Sequence, residues 1–151
     1  MTQAPFLPAL RELASAYQAF EAYSAAHIRT LGLTPSQFDI IATLGNTAGM
    51  PLKELGEKSL ITKGTLTGVV DRLTDKKLVR RIASPSDGRS QIVQLTKQGA
   101  TLFARIFPDH LAHLDRAFDT LSPKELKDLE KTLHRLREAL ETARSQMGKT
   151  A

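Results

Sequence analysis

Cysteine is absent from the 151 residues, and so is tryptophan. Without a thiol the chain forms no disulfide, builds no thiolate zinc site and carries no cysteine-based redox sensor. No stretch approaches the ~20 apolar residues of a membrane-spanning helix, so no membrane partner is expected. The opening residues Met1-Thr2-Gln3-Ala4-Pro5 lack the basic start and apolar run of a secretory signal. Together with the missing cysteines this fits a reducing cytosol, and a cytoplasmic protein is expected. Nucleophile–base pairs, glycine-rich phosphate loops and acidic metal clusters are also missing, so neither an enzyme nor a cofactor is expected. Acidic residues are the minority, 16 Asp and Glu against 21 Lys and Arg, for a net charge of +5. That excess is compatible with a polyanionic partner but does not by itself identify one.

What is present is a patterned chain, 41% hydrophobic and 25% charged, enough for a core and a charged surface. The spacing of Leu10, Leu13, Tyr17 and Phe20 predicts a first helix from about Phe6 or Pro8 to Arg29, with Gly32 at its exit. Thr34-Pro35-Ser36-Gln37 reads as a capping box, and Phe38, Ile41, Ala42 and Leu44 supply the buried face of a second helix. A brief third helix is expected from Pro51 to about Lys58, and Thr62 is placed to cap a fourth. A hairpin over 78–82 and 91–95 follows, its turn rich in Ser, Pro, Asp and Gly. Thr96 opens a fifth helix to about Asp119, with a bend expected at Pro108. Ser122-Pro123-Lys124-Glu125 starts a sixth, along which Leu126, Leu129, Leu133, Leu136 and Leu140 recur three and four apart.

The chemistry concentrates between residues 62 and 95. Two short helices joined by a tight turn form a helix-turn-helix pattern. In the second of them Leu66, Val69, Val70 and Leu73 make one apolar stripe. Lys63, Gly64, Thr65, Thr67, Gly68 and Arg72 project elsewhere, a short, hydrogen-bonding and lightly basic face suited to close approach to base edges. Cations cluster just beyond: Lys76, Lys77, Arg80, Arg81 and Arg89, opposed in that span only by Asp87. Arg89 at the hairpin tip can enter a narrow, electronegative minor groove. Asp87 is expected to pair with it and orient it. The two glycines would otherwise reflect tight internal packing, and the Asp87–Arg89 pair a surface contact worth ~0–1 kcal/mol.

The long terminal helices carry apolar seams that the small central block cannot cover. Leaving the leucines of the last helix in water would forfeit ~1.5–3 kcal/mol apiece, so a homodimer is expected, against packing of these helices within one chain. The expected division is a dimerisation helix over 1–33, a DNA-binding region over 34–95 and dimerisation helices over 96–151.

The segments Leu33-Thr34-Pro35-Ser36-Gln37-Phe38, 66–73, 78–81, Asp87-Gly88-Arg89 and Leu95-Thr96-Lys97-Gln98-Gly99 resemble, in order and spacing, the MarR family of winged helix-turn-helix regulators, over about residues 31–104. The resemblance implies a mainly α fold with a small β-hairpin wing, dimerised through its first, fifth and sixth helices. It implies binding to double-stranded DNA at a pseudo-palindromic operator, with repression relieved by a small aromatic or phenolic ligand. The cysteine of peroxide-sensing relatives is absent, and the missing tryptophan speaks against a urate-type pocket. An effector pocket would lie where the first helix meets the second and fifth, near Tyr23, His27 and Asp39, unless these are plain helix-surface and interhelix residues. His110 and His113, one turn apart, offer a weaker zinc-responsive alternative. A dimeric helical adaptor without DNA binding is the rival outside this class; the cation at the hairpin tip argues against it.

Overall fold

Local sequence sets the start of three of the helices, through Thr34, Thr96 and Ser122. A computed structural model describes residues 4–61 and 63–149, apart from the side chain of Lys63. Its elements are α1 (Leu7–Thr30), α2 (Pro35–Leu44), β1 (Met50–Pro51), α3 (Leu52–Lys58), α4 (Lys63–Asp75), β2 (Val79–Ala83), β3 (Gln91–Leu95), α5 (Lys97–Phe118) and α6 (Pro123–Met147). They fall into two compact units, Met1–His113 and Leu114–Ala151.

In the first unit the expected capping box holds. Thr34 Oγ1 accepts from the Gln37 amide at 3.2 Å, and Gln37 Oε1 accepts from the Thr34 amide at 3.1 Å. Two orphan donors are thereby satisfied, and Pro35 occupies the first turn, where its missing N–H costs nothing. Thr96 likewise caps α5, accepting from the Gly99 amide at 3.0 Å. The cap expected at Thr62 lies outside the described residues.

The core gathers Phe38, Ile40, Ile41 and Leu44 of α2, Leu55 of α3, the full α4 stripe and Val79 and Val93 of the sheet. Phe103 and Ile106 of α5 close it on one side. Gly45 is needed there: a Cβ would run into the Phe103 ring. Ile40 and Gln37 are also buried, beyond the face the periodicity gave α2. The α1 stripe behaves differently, with Leu10 and Tyr17 exposed and only Ser24 and Ile28 buried.

The sheet has one strand more than the expected hairpin. Met50 and Pro51 pair antiparallel with Val93 and Ile92, giving the order β1-β3-β2. This moves the start of α3 to Leu52, because Pro51 is extended, with φ −61° and ψ 154°. The chain leaves α4 through a Schellman-type stop. Leu78 N–H donates to the Leu73 carbonyl at 3.0 Å, Lys77 N–H donates to that of Thr74 at 2.9 Å, and Lys77 sits at φ +64°. α5 runs through Pro108 as a single element, as expected.

In the second unit, Ser122 and Glu125 complete another capping box, at 3.1 and 3.0 Å. α6 is laced with ion pairs such as Lys124–Asp128 and Arg137–Glu141. None of its residues is buried, and Leu129, Leu133, Leu136 and Leu140 are 41–57% exposed. No helix among the described residues is long and apolar enough to cross a membrane.

Candidate nucleic-acid interface

Because Leu66, Val69, Val70 and Leu73 anchor α4 in the core, Gly64, Thr65, Thr67, Gly68 and Arg72 are left on its exposed side. A Cβ on Gly64 or Gly68 would meet nothing within 4 Å, which removes internal packing as the reason for either glycine. In an exposed helix each costs roughly 1 kcal/mol relative to alanine. Their effect is to keep the outer surface of α4 low. The side chain of Lys63 lies outside the described residues.

The turn ahead of α4 is tied to α2. Asp39 Oδ2 accepts from the Leu60 amide at 2.6 Å, and burial raises the Asp39 pKa while this bond opposes the rise. Asp39, expected at an effector pocket, thus spends its carboxylate on the helix-turn-helix turn. Leu60 itself is 72% exposed.

Beyond α4, alternation along β2 sends two adjacent arginines to different partners. Arg81 reaches back to Asp71 of α4 at 2.7 Å, an ion pair joining the helix to the hairpin. Arg80 donates from Nε to Gln94 Oε1 on the neighbouring strand. Neither partner was anticipated from sequence; the period-2 pairing of the hairpin was the one available signal.

At the hairpin tip Arg89 is exposed. The expected side-chain pairing with Asp87 is not what forms. Asp87 Oδ1 accepts from the backbone N–H of Arg89 at 3.0 Å, and the Asp87 carbonyl accepts from that of Ser90 at 3.1 Å. The carboxylate shapes the turn, the usual work of an aspartate two residues ahead of an amide, and leaves the guanidinium unneutralised by it.

A second cluster joins α1 to α5 within the first unit. Tyr23 donates its hydroxyl to the His113 carbonyl at 2.7 Å, and His113 Nε2 lies 3.0 Å from the Tyr23 carbonyl. A carbonyl only accepts, so His113 carries its proton on Nε2. The two rings stack at 3.9 Å, and His27 stacks on His113 at 4.5 Å. His27 and His110 face each other Nδ1 to Nδ1 at 2.9 Å, so one of them donates and the other accepts. His110 Nε2 meets Ser24 Oγ at 3.2 Å, and the Phe38 ring lies 4.5 Å away. Burial, then the charges of His27 and His113, lowers the His110 pKa to about 4. The cluster brings together Tyr23, His27, His110 and His113, but His27 Nδ1, both nitrogens of His110 and His113 Nε2 are turned on one another, on Ser24 and on the backbone. Among the described residues no group of three or more His, Asp or Glu is arranged to hold a metal ion.

A helix-turn-helix whose second helix presents a shallow polar face, followed by a sheet with a cationic tip, defines a winged helix-turn-helix DNA-binding protein. A sequence model of the MarR family matches residues 33–91. The transcriptional regulator MhqR of Bacillus subtilis is 36% identical over 124 residues, covering 82% of this chain and 86% of MhqR. Among solved structures, the MarR-family regulator Sco3205 of Streptomyces coelicolor, in complex with DNA, is 26% identical with a TM-score of 0.81, over 93% of this chain and 90% of Sco3205. BpsR of Bordetella bronchiseptica, whose DNA binding is regulated by 6-hydroxynicotinic acid, is 25% identical with a TM-score of 0.77, over 91% of this chain and 98% of BpsR. The chain belongs to the MarR family. It is a transcriptional regulator with a DNA-binding fold and not an enzyme.

Proposed function

We propose that the protein is a cytoplasmic homodimeric repressor of a pseudo-palindromic operator, released from it by a small aromatic or phenolic effector. In this reading α4 enters the major groove. Lys63 reaches a guanine or a phosphate, Thr65 and Thr67 meet bases or backbone, and Gly64 and Gly68 allow close approach. Arg72 and Arg80 contact phosphate. Arg89, its turn shaped by Asp87, enters the adjacent minor groove. The observation that carries the proposal is the pairing of an uncrowded α4 surface with an exposed wing-tip cation.

Dimerisation draws on residues 1–33 and 96–151. The leucine seam of α6 and the exposed apolar residues of α1 support it, since both are long enough to bury on a second copy. The effector reading is supported by the regulation of BpsR by 6-hydroxynicotinic acid and by the aromatic stack of Tyr23 and His27 on α5. Asp39 contributes to that reading only through the turn it holds.

Arg89→Ala should weaken binding to the highest-affinity duplex recovered from a random library, while leaving the melting temperature and oligomeric state unchanged. A gel-shift titration that superimposes on the parent protein's would reject the minor-groove role.

A further inference from the structure

We infer that Gln94 is a positioning residue that fixes the guanidinium of Arg80 for a DNA phosphate. The inference rests on the proposed contact between Arg80 and DNA. Arg80 and Gln94 stand directly opposite in the β2–β3 ladder, where two side chains share a face of the sheet. Arg80 Nε donates to Gln94 Oε1, and Gln94 Nε2 donates to the Ala48 carbonyl at 3.1 Å. The amide has only one orientation that serves both neighbours. An arginine Nε–H can only donate and a carbonyl can only accept, so the oxygen must face Arg80 and the nitrogen Ala48.

The anchor behind Gln94 is itself held. Thr47 Oγ1 donates to the Leu44 carbonyl at 2.6 Å and accepts from the Gly49 amide at 3.2 Å, joining this loop to the end of α2. Gly49 has φ +99°, and a Cβ there would lie 2.7 Å from both Gln94 Cβ and the Val93 carbonyl oxygen. The loop therefore seats against β3 at the residue that grips Arg80. On the other side of the wing root, Arg81 is held by Asp71. One arginine locks the wing to α4. Its neighbour is steered by Gln94 through Nε, which orients the guanidinium plane and leaves the two terminal amino groups as donors for a bidentate phosphate contact. Much of the entropy cost of ordering a long arginine is thereby met before DNA arrives.

The test is a double-mutant cycle read by fluorescence anisotropy on the tightest duplex from a random-sequence library, over a series of salt concentrations. Gln94→Ala and the near-isosteric Gln94→Met, which keeps the packing and loses both hydrogen bonds, are each combined with Arg80→Ala. Arg80→Ala should lower affinity about tenfold and flatten the salt dependence by about one phosphate per subunit. Either Gln94 variant alone should cost about threefold or more and flatten the slope in the same direction, since an unaimed Arg80 engages phosphate less often. With Arg80 already removed, neither should cost anything further. A Gln94 loss that persists without Arg80, or no loss with Arg80 present, overturns the positioning role and leaves the Arg80 contact standing. Unchanged affinity and slope on Arg80→Ala would refute the contact itself. A fall in melting temperature without a change in slope would mark Gln94 as merely structural and also overturn the proposal.

Discussion

Protonating His110 in the folded protein places a cation where there is almost no water, since the residue is 3% exposed. Two neighbouring histidines make this worse. The Nδ1 of His27 stands 2.9 Å from that of His110, the Phe38 ring covers one side, and His113 lies in the same stack. Charging both rings of the His27–His110 pair would set two N–H groups against each other in place of the hydrogen bond. Burial first, then the two histidine charges, takes the His110 pKa from 6.5 to about 4. In the unfolded chain His110 binds its proton at the ordinary value. Above pH 6.5 the ring is neutral in both states and the contribution to stability is fully present. As pH falls towards 4 the unfolded state takes up the proton and the folded state resists it, so stability is lost across that window. The fall in pKa bounds the loss at roughly 3 kcal/mol. Carboxylates titrate near the lower end as well, so the comparison must be with a variant that lacks this ring. His110→Gln keeps a polar partner for Ser24 and removes the titration. Urea unfolding followed by circular dichroism across the window should give a parent curve that drops more steeply with acid than the variant's. Parallel curves would refute the account of the buried pair.

Three further outcomes follow from single contacts. Gly49→Ala should destabilise the first unit by about 2–4 kcal/mol in chemical denaturation, because φ +99° and the approach of Gln94 and Val93 leave no room for a methyl group; a neutral substitution would mean that the loop relaxes freely. Asp39→Ala should cost about 1 kcal/mol and speed hydrogen exchange at the Leu60 amide, whereas Asp39→Asn, which retains an acceptor, should leave that amide protected; equal exchange in all three proteins would dismiss the clasp. Leu133→Asp should convert the proposed dimer to monomer in sedimentation velocity and abolish operator binding with it, and a variant that still sediments as a dimer would place the interface elsewhere than α6.

The parts legible in the sequence are those governed by short-range chemistry. A threonine followed three residues on by glutamine, with a proline between, specifies a helix start, and Thr34–Gln37 forms both reciprocal bonds. The α4 stripe was legible for a similar reason, since a 3.6-residue period fixes which side chains share a face whatever the helix packs against. The pairing of Met50–Pro51 with β3 was not, because two residues carry no period. Tyr23 and His27 were expected near the fifth helix, but His110 and His113 were not expected as the residues they meet there. These contacts span more than 80 positions, 83 between His27 and His110 and 90 between Tyr23 and His113, and depend on how α1 and α5 are set side by side.

Charge is where the fold departs furthest from composition. Five cations between Lys76 and Arg89, opposed in that span by Asp87 alone, would suggest that all five face DNA. The fold divides them. Arg81 is returned to Asp71 of α4 and spends its charge holding the wing, with its side chain only 28% exposed. Arg80 is half engaged by Gln94, and Lys76 Nζ reaches Gln37 Oε1 at 3.5 Å. Asp87, the one acid in the span, is drawn into the backbone of the turn, so the tip cation keeps its charge. Counting like charges along the chain therefore overstates the electrostatic footprint at the root of the wing and understates it at the tip. Since the salt dependence of binding counts phosphates neutralised and not residues present, the contribution of this span to the slope per subunit should fall short of the five that composition suggests. The sharpest single loss should come from the residue at the hairpin tip, which no acid among the described residues is placed to neutralise.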